Sequence, residues 1–386
     1  MLKTALVFVS KRKLSFSKVK YLSPTANPQP QEKIQSFRSV EHDPLKHTYN
    51  HVGQFYNISK EDRNHLFNYG GLPKTYLTQA KTFNETCVMI RQPTIDVIEC
   101  LKNIDYAKPA VRFVIYGKKG SGKSLSMAHI LHYANRSNFL VVHVPWVGNW
   151  MRRCQEVSNS DTKEGFINLN VDAAAWLLHF KTQNSHLLEK EDLKIAQDYV
   201  WSKREKTEKG SPLLDIVNHG INRIKFASDC VVIIADEIKK LSNSGVCKTL
   251  VAIDGFNAFF YPNTRVFTEK KEKVHPHKVV ITEAFLNLTK NDWKNSAVIV
   301  TVDEIAVAEE DQISHMPRYL LGKEGFEHLD PFVPIPMENY NQKEFKSVMD
   351  YYRDRRWITP YPGQDEEVSA LSANNPYNLI KVCAPL

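Results

Sequence analysis

Residues 116–126 read YGKKGSGKSLS, and the part from Gly117 to Ser124 matches the phosphate-binding pattern G-x-x-x-x-G-K-S/T in full. The run VRFVIY (111–116) that leads into it is rich in β-branched and aromatic residues, which is typical of a buried strand. The run KSLSMAHILHYA that follows has a helical period. The sequence therefore predicts a strand, a glycine-rich loop and a helix in direct succession.

Each residue type in this loop has a physical task. Glycines let the backbone turn so that successive amide groups point at phosphate oxygens without a Cβ in the way. The helix that follows adds the positive end of its dipole. Lys123 can reach the β- and γ-phosphates, and the Ser124 hydroxyl can bind Mg²⁺. An ordinary turn with an exposed lysine is the alternative, and the strand–loop–helix context argues against it. The predicted nucleotide-binding residues are Gly117, Lys118, Lys119, Gly120, Ser121, Gly122, Lys123 and Ser124.

A second acidic residue is expected at the end of a neighbouring strand, close to the metal. Two stretches compete for this role, CVVIIADE with Asp236 and KTLVAIDG with Asp254. Apolar residues recur at helical spacing through DCVVIIADEIKKLSNSG, which predicts a helix with Asp229 as its N-cap and with Asp236 and Glu237 in solvent. TLVAID has the length and β-branched content of a buried strand. Ser124 and Asp254 are therefore the predicted Mg²⁺ ligands.

The residue after Asp254 is Gly255, so the carboxylate that usually activates water is missing from this position. A site with a cradle and a metal but no base is expected to bind nucleotide well and to hydrolyse it slowly. Thr301, near the end of the apolar run AVIVTV, is either a neighbour of the γ-phosphate or simply a good strand former. We favour the second interpretation, and we predict no catalytic residue.

Composition limits the classes of protein that the chain can belong to. Its 386 residues are 42% hydrophobic and 24% charged, which is ordinary for a globular protein, and no apolar run approaches the roughly 18 residues of a membrane span. The six cysteines form no C-x-x-C pair, which favours free thiols in a reducing compartment. The stretch HDPLKHTYNH holds His42, His47 and His51, but no carboxylate or cysteine completes a metal site there.

The positive charge is concentrated at the N-terminus. Six basic residues precede the first acid, Glu32, and they carry +6 of the net charge of +8, which leaves about +2 (8 − 6) for the rest. A basic, acid-free segment with Ser and Thr is typical of a presequence that targets a protein to the mitochondrial matrix, and a disordered basic tail that touches RNA is the alternative. The nearly neutral remainder argues against a body that binds nucleic acid by charge alone.

Strands that alternate with helices predict an α/β fold with a parallel sheet flanked by helices. Further helices are expected at 94–103, 172–180, 212–224 and 281–292, and further strands at 139–144 and 297–302. Asn341 and Glu344 have capping-box spacing at the start of a C-terminal helix. The predicted segments are a presequence and linker (1–35), an extended N-terminal arm (36–93), a P-loop NTPase core (94–335) and a C-terminal helical subdomain (336–386).

Beyond the glycine loop, several stretches carry a resemblance to a known family. They are HYN…GQFYNIS with GLP (48–73), KTFNETCVMIR (81–91), LVAIDGFNA (250–258), KNDW (290–293), LLGKEGFEHLDPFVPI (320–335) and NYNQKEF. Together with the loop, they resemble the death-associated protein 3 family of the mitochondrial small ribosomal subunit. The resemblance implies an AAA+-like P-loop NTPase core in the mitochondrial matrix, in the head of that subunit. It implies contacts with ribosomal proteins, with rRNA and with the large subunit. It also implies GTP or GDP with Mg²⁺ at residues 117–124, with Asp254 as the acid, and the family is further linked to programmed cell death.

Three interpretations of the function follow. The favoured one is a structural ribosomal protein whose nucleotide stabilises the fold; the others are a motor-like or signalling ATPase and a GTPase switch. An ATPase needs an arginine finger, but the cluster of Arg353, Arg355 and Arg356 is more typical of a solvated helix face. A GTPase switch needs a base-specific element, and TKND (289–292) lies at a helix end instead of after a strand. Guanine is the expected base, and ATP stays possible.

Overall fold

The computed structural model describes residues 37–190, 192–307 and 313–384, so the predicted presequence lies outside the described residues. The strands are β1 (Phe55–Asn57), β2 (Cys87–Met89), β3 (Val111–Tyr116), β4 (Leu140–Val144), β5 (Ser158–Asn159), β6 (Ile167–Asn168), β7 (Tyr199–Val200), β8 (Lys206–Thr207), β9 (Thr249–Ile253), β10 (Ser296–Thr301) and β11 (Val333–Pro336). The helices are α1 (Lys60–Phe67), α2 (Lys74–Phe83), α3 (Gln92–Asn103), α4 (Lys123–Arg136), α5 (Val147–Arg152), α6 (Asn170–Gln183), α7 (Ser185–Leu188), α8 (Leu213–Asn222), α9 (Ala227–Asn243), α10 (Val280–Leu288), α11 (Pro317–Leu329), α12 (Gln342–Asp354), α13 (Gln364–Ser372) and α14 (Pro376–Cys383).

Five strands form the central sheet in the order β11-β3-β10-β9-β4, and every neighbouring pair is parallel. Its strands are apolar almost throughout because both faces are covered. Val114, Val251 and Val300 point into one core cluster, whereas Phe113, Ala252 and Ile299 point into the other. The carboxyl ends of parallel strands share one edge, so the loops after β3, β9 and β10 meet there. The predicted P-loop α/β fold is therefore confirmed.

Helix α9 contains Asp236, the first of the two candidates for the metal-binding acid. It spans Ala227–Asn243, so Asp236 lies in a helix and not at the end of a strand. Two details of the prediction are wrong. The helix begins before Asp229, which lies in its first turn and not at the N-cap. Glu237 is fully buried, and its carboxylate is satisfied there because it accepts bonds from the Ala196 main-chain amide (2.6 Å), the Tyr199 hydroxyl (2.6 Å) and Lys240 Nζ (2.7 Å).

The segment before α3 is not the extended arm that the polar sequence of residues 36–93 predicted. It folds into α1, α2 and an antiparallel pair of strands, β1 and β2. Tyr56, Ile58 and Leu66 are at most 1% exposed and belong to a core cluster on one side of the sheet. The polar residues that suggested an arm lie on the outer faces of short elements, whereas a few large apolar side chains insert into the core. The boundaries between the predicted segments stay predictions.

The three C-terminal helices, α12, α13 and α14, share a small core with the N-terminal segment. Phe345, Tyr351 and Leu379 pack there with Phe55 and Phe83. The described residues contain no helix that is long and apolar enough to cross a membrane.

Candidate phosphate-binding site

The glycine loop has the backbone shape that its sequence predicts. Gly117, Gly120 and Gly122 have φ angles of 153°, 79° and 100°, in the region that favours glycine. Helix α4 begins at Lys123 with Gly122 as its N-cap, and in the described structure no side chain caps it. The amides of its first turn are therefore left for a ligand, at the positive end of the helix.

Lys123 is buried at the centre of the site, where its side chain is 2% exposed. Its Nζ donates to the carbonyl oxygens of Gly117 (2.7 Å) and Lys118 (3.0 Å) and lies 2.9 Å from Asp303 Oδ2. Asp303 follows β10, and its main chain is fixed by two hydrogen bonds with the Asn257 amide group (3.0 and 3.1 Å). The ammonium group therefore bridges the loop and the carboxyl end of the sheet.

The two predicted metal ligands are in direct contact. The Ser124 hydroxyl donates to Asp254 Oδ2 at 2.6 Å, and the Thr301 hydroxyl donates to Asp254 Oδ1. Thr301 in turn accepts a bond from the Gly255 amide at 2.9 Å. Burial raises the pKa of Asp254 to about 6, because desolvation outweighs these hydrogen bonds and the charge of Lys123. Thr301, interpreted above as a mere strand former, is thus part of the site.

The residues present fit a phosphate tail with Mg²⁺. A hydroxyl and a carboxylate are the oxygen donors that Mg²⁺ takes beside phosphate oxygens. Ser121 Oγ lies buried in the loop without a hydrogen-bond partner in the described structure. An unsatisfied buried hydroxyl is expected where a bound anion would accept its hydrogen bond. The side chains of Lys118 and Lys119 are exposed, so their contribution to the cradle is that of the main chain.

A cavity of about 420 Å³ opens beside the first glycine of the loop, within the range of small-molecule sites. Its lining includes Tyr116, Lys118, His315, Met316 and Met337. The glycine loop thus borders a cavity of the size of a small-molecule site.

Sequence reasoning missed the residues that reach the loop from distant parts of the chain. Asp303 contacts Lys123 only because β10 lies between β3 and β9 in the sheet. Arg91 and Asn375 contact the carbonyl oxygens of Ser121 (2.9 Å) and Lys119 (3.0 Å). No local motif marks these three side chains, and the order of the elements in space is what brings them to the site.

Comparisons with known proteins agree with the resemblance carried by the motifs. The family model described as "Mitochondrial ribosomal death-associated protein 3" matches residues 88–382. Small ribosomal subunit protein mS29 of Bos taurus is 40% identical over 353 residues, which cover 90% of this chain and 88% of that protein. The protein of the same name from Mus musculus is 37% identical over 353 residues, with coverages of 90% and 89%.

Among solved structures, the Walker-type ATPase paby2304 of Pyrococcus abyssi is similar with a TM-score of 0.41 and 12% identity, over 75% of this chain and 64% of that chain. This TM-score is low, so the fold assignment rests on the strand order and on the loop. The family assignment does not depend on this structure, because it rests on the family model and on the two relatives. The chain belongs to the mitochondrial ribosomal death-associated protein 3 family.

Proposed function

We propose that the chain is a structural component of the small subunit of the mitochondrial ribosome, that it resides in the mitochondrial matrix, and that it supports mitochondrial translation. The observation that carries this proposal is the 40% identity, over 90% of the chain, with the Bos taurus protein named as a small ribosomal subunit protein. Similarity over such a length covers the whole domain and not the glycine loop alone. Its partners are then ribosomal proteins and rRNA of the small subunit, with contacts to the large subunit.

The proposal includes a guanine nucleotide, GTP or GDP, held with Mg²⁺ by the glycine loop. The main-chain amides of residues 117–122 and the first turn of α4 would bind the phosphates. Lys123 is already buried at the loop, and Ser124 with Asp254 would hold the metal, which neutralises phosphate charge when bound. A ligand that binds only the folded state at 100 times its Kd adds about 2.7 kcal/mol to stability. The nucleotide would in this way stabilise the domain for assembly.

The geometry supports binding more than turnover. Among the described residues, two carboxylates contact the motif side chains of the loop: Asp254 accepts bonds from Ser124 and Thr301, and Asp303 is paired with Lys123. Each is engaged by neighbours and is poorly placed to position an attacking water. Purified protein should therefore release phosphate from GTP or ATP at about a few events per hour at most. A rate of about 1 s⁻¹ or more, as in working enzymes, would favour a motor-like ATPase or a switch instead.

Sedimentation of a tagged full-length chain from mitochondria tests the ribosomal part of the proposal. The chain should migrate with the small subunit. Migration as a free hexamer would contradict the proposal and point to a motor-like ATPase.

The Lys123→Ala variant tests the nucleotide part. It should lose GDP binding and the rise in melting temperature that GDP causes, because the buried ammonium group is gone. Lys119→Ala is the matched control, since that exposed side chain lies in the same loop and should not be required. A melting curve of the wild-type protein that GDP leaves unchanged would count against the cradle.

A further inference from the structure

Three successive main-chain carbonyl groups of the glycine loop accept hydrogen bonds from residues outside the loop. Lys119 O accepts from Asn375 Nδ2 (3.0 Å), Gly120 O from the Tyr377 amide (3.1 Å) and Ser121 O from Arg91 Nη1 (2.9 Å). We call these three carbonyls the outer face of the loop. Carbonyls that are fixed on one side direct the amides to the other side, as an anion-binding nest requires, and of these amides the one of Ser121 donates to Lys118 O (3.2 Å).

The glycines of the loop are also needed for this contact. A Cβ on Gly117 would lie 2.2 Å from the Met337 carbonyl oxygen, and one on Gly120 would lie 2.5 Å from Tyr377 Cβ. Both positions therefore lack room for a side chain because the C-terminal segment approaches the loop backbone. The glycine pattern thus fits the packing of residues 337–377 as well as the binding of phosphate.

Arg91 ties this arrangement together through a buried ion pair. Its Nε and Nη2 lie 3.0 and 3.1 Å from the carboxylate of Glu344, and the two side chains are 7% and 3% exposed. Glu344 also accepts a bond from the Asn341 amide (3.0 Å), which closes the capping box at the start of α12. One guanidinium group therefore links the loop, the N-terminal segment and the first C-terminal helix.

We infer that the C-terminal segment, residues 337–377, is a working part of the nucleotide site although it does not face the phosphates, with Arg91 and Asn375 as positioning residues. It holds the loop in its binding conformation before the ligand binds, which lowers the entropy cost of ordering the loop on binding. By linkage, a bound nucleotide must tighten the packing of this segment to the same extent. The inference rests on the proposed nucleotide binding.

Equilibrium titration of the full-length chain with GDP and Mg²⁺ tests it, with Asn375→Ser as the variant. Serine keeps an oxygen that can cap α14, as the Asn375 side chain does, but its shorter side chain loses the bonds that Asn375 Nδ2 donates to Lys119 O (3.0 Å) and to Asn339 Oδ1 (3.1 Å). Loss of one hydrogen bond that holds the loop should raise the Kd for GDP about fivefold. Asp365→Asn is the matched control, because Asp365 pairs with Arg353 inside the C-terminal segment. The Kd of this control should stay at the wild-type value.

The outcomes separate this inference from the proposed function. If Asn375→Ser binds GDP like the wild type while Lys123→Ala does not bind, the inference is wrong and the proposed function stands. Equal weakening by Asn375→Ser and Asp365→Asn would also overturn it, because the cause would then be general destabilisation. A wild-type protein that binds no GDP would contradict the proposed function itself.

A second measurement follows the wild-type protein itself. Hydrogen exchange of the amides of residues 377–383, in α14, should slow when GDP and Mg²⁺ are added to the wild-type protein, as the linkage requires. The same ligand should have no effect on exchange in Lys123→Ala. If the protein binds GDP but the exchange rates of the α14 amides do not change, the inference is wrong.

Discussion

At the scale of single residues, the pairing of Lys123 with Asp303 is the main feature that the glycine motif does not contain. The ammonium group has two loop carbonyls and one carboxylate as partners, at 2.7, 3.0 and 2.9 Å. A phosphate group that approaches Lys123 has to compete with Asp303 for it. Asp303 is therefore a stabilising partner of the buried lysine and, on the proposed function, would compete with the ligand for it.

The Asp303→Asn variant separates these two effects. Asparagine can still accept the bond from the Ile305 amide, but it leaves the charge of Lys123 without a carboxylate partner. We expect the free energy of unfolding without ligand to fall by about 2 kcal/mol. The rise in melting temperature on adding GDP should be larger than in the wild type, since the phosphates restore the missing negative charge. A smaller rise than in the wild type would contradict this role.

Residue by residue, the sequence predicted what a local pattern encodes. Ser124 follows from the loop motif, and Asp254 follows from the strand-like run before it; the structure places the two side chains 2.6 Å apart. The part played by Thr301 and Asp303 could not be predicted, because it depends on β10 lying between β3 and β9. Helical spacing places Glu237 in solvent, because spacing alone does not reveal that the Ala196–Tyr199 segment covers this side chain.

At the scale of elements, the glycine loop and the C-terminal helices form one packed unit. Gly120 has a φ of 79°, and a Cβ there would lie 2.7 Å from Asn375 Oδ1 as well as against Tyr377. Gly165 has a similar φ of 73° but nothing within 4 Å of the position of its Cβ. A substitution at either glycine therefore causes the same kind of backbone strain, but only a side chain at position 120 would also clash with Asn375 and Tyr377.

Gly120→Ala should accordingly destabilise the protein more than Gly165→Ala. Both variants suffer strain of about 1 kcal/mol, and only Gly120→Ala adds a clash with the C-terminal segment, which costs about 1–3 kcal/mol more. Urea unfolding of the two variants measures the difference. Equal destabilisation would mean that the loop does not depend on the C-terminal contact.

The capping box of α12 gives a second test at this scale. Asn341 Oδ1 accepts from the Glu344 amide at 2.9 Å, as its spacing in the sequence predicted. Asn341→Ala removes this cap and should lower the free energy of unfolding by about 1 kcal/mol. Denaturant titration would show the shift, and a variant as stable as the wild type would contradict the assignment.

The elements themselves were largely predictable, and the N-terminal segment shows the limit. Four of the five central strands (β3, β4, β9 and β10) and α9 follow from long apolar runs or from clear helical spacing, whereas β11 (Val333–Pro336) is not predicted by the sequence pattern. Residues 36–93 offered only short polar stretches, so the burial of Tyr56 and Leu66 could not be foreseen. Burial there comes from packing against helices that are distant in sequence, which local composition does not report.

At the scale of the whole molecule, buried histidines make stability depend on pH. His47 Nδ1 lies 2.8 Å from His129 Nε2, and His143 Nδ1 lies 3.0 Å from His179 Nε2. Burial lowers the pKa of both His47 and His179 from 6.5 to about 4. The unfolded chain therefore binds more protons below pH 6.5, so the stability from these groups is present above pH 6.5 and is lost as the pH falls towards 4.

Between pH 7.5 and pH 5.0, His47 and His179 should together lower the free energy of unfolding by about 4 kcal/mol, about 2 kcal/mol each. The Asp62 carboxylate adds little in this window, because its pKa is lowered, mainly by its hydrogen bond with His132, and its stabilising contribution is lost only below about pH 4. Urea unfolding at the two pH values measures the change. Equal stability at both would contradict the burial of these imidazoles in their neutral form.

The central claim is that this domain holds a nucleotide as part of an assembled ribosomal subunit. The most direct measurement is the nucleotide content of mitochondrial small subunits purified through a tag on this chain, with Lys123→Ala as the comparison. We predict close to one guanine nucleotide per tagged chain for the wild type and a clear loss in the variant. Wild-type subunits that contain the chain but release no nucleotide on denaturation would contradict the account.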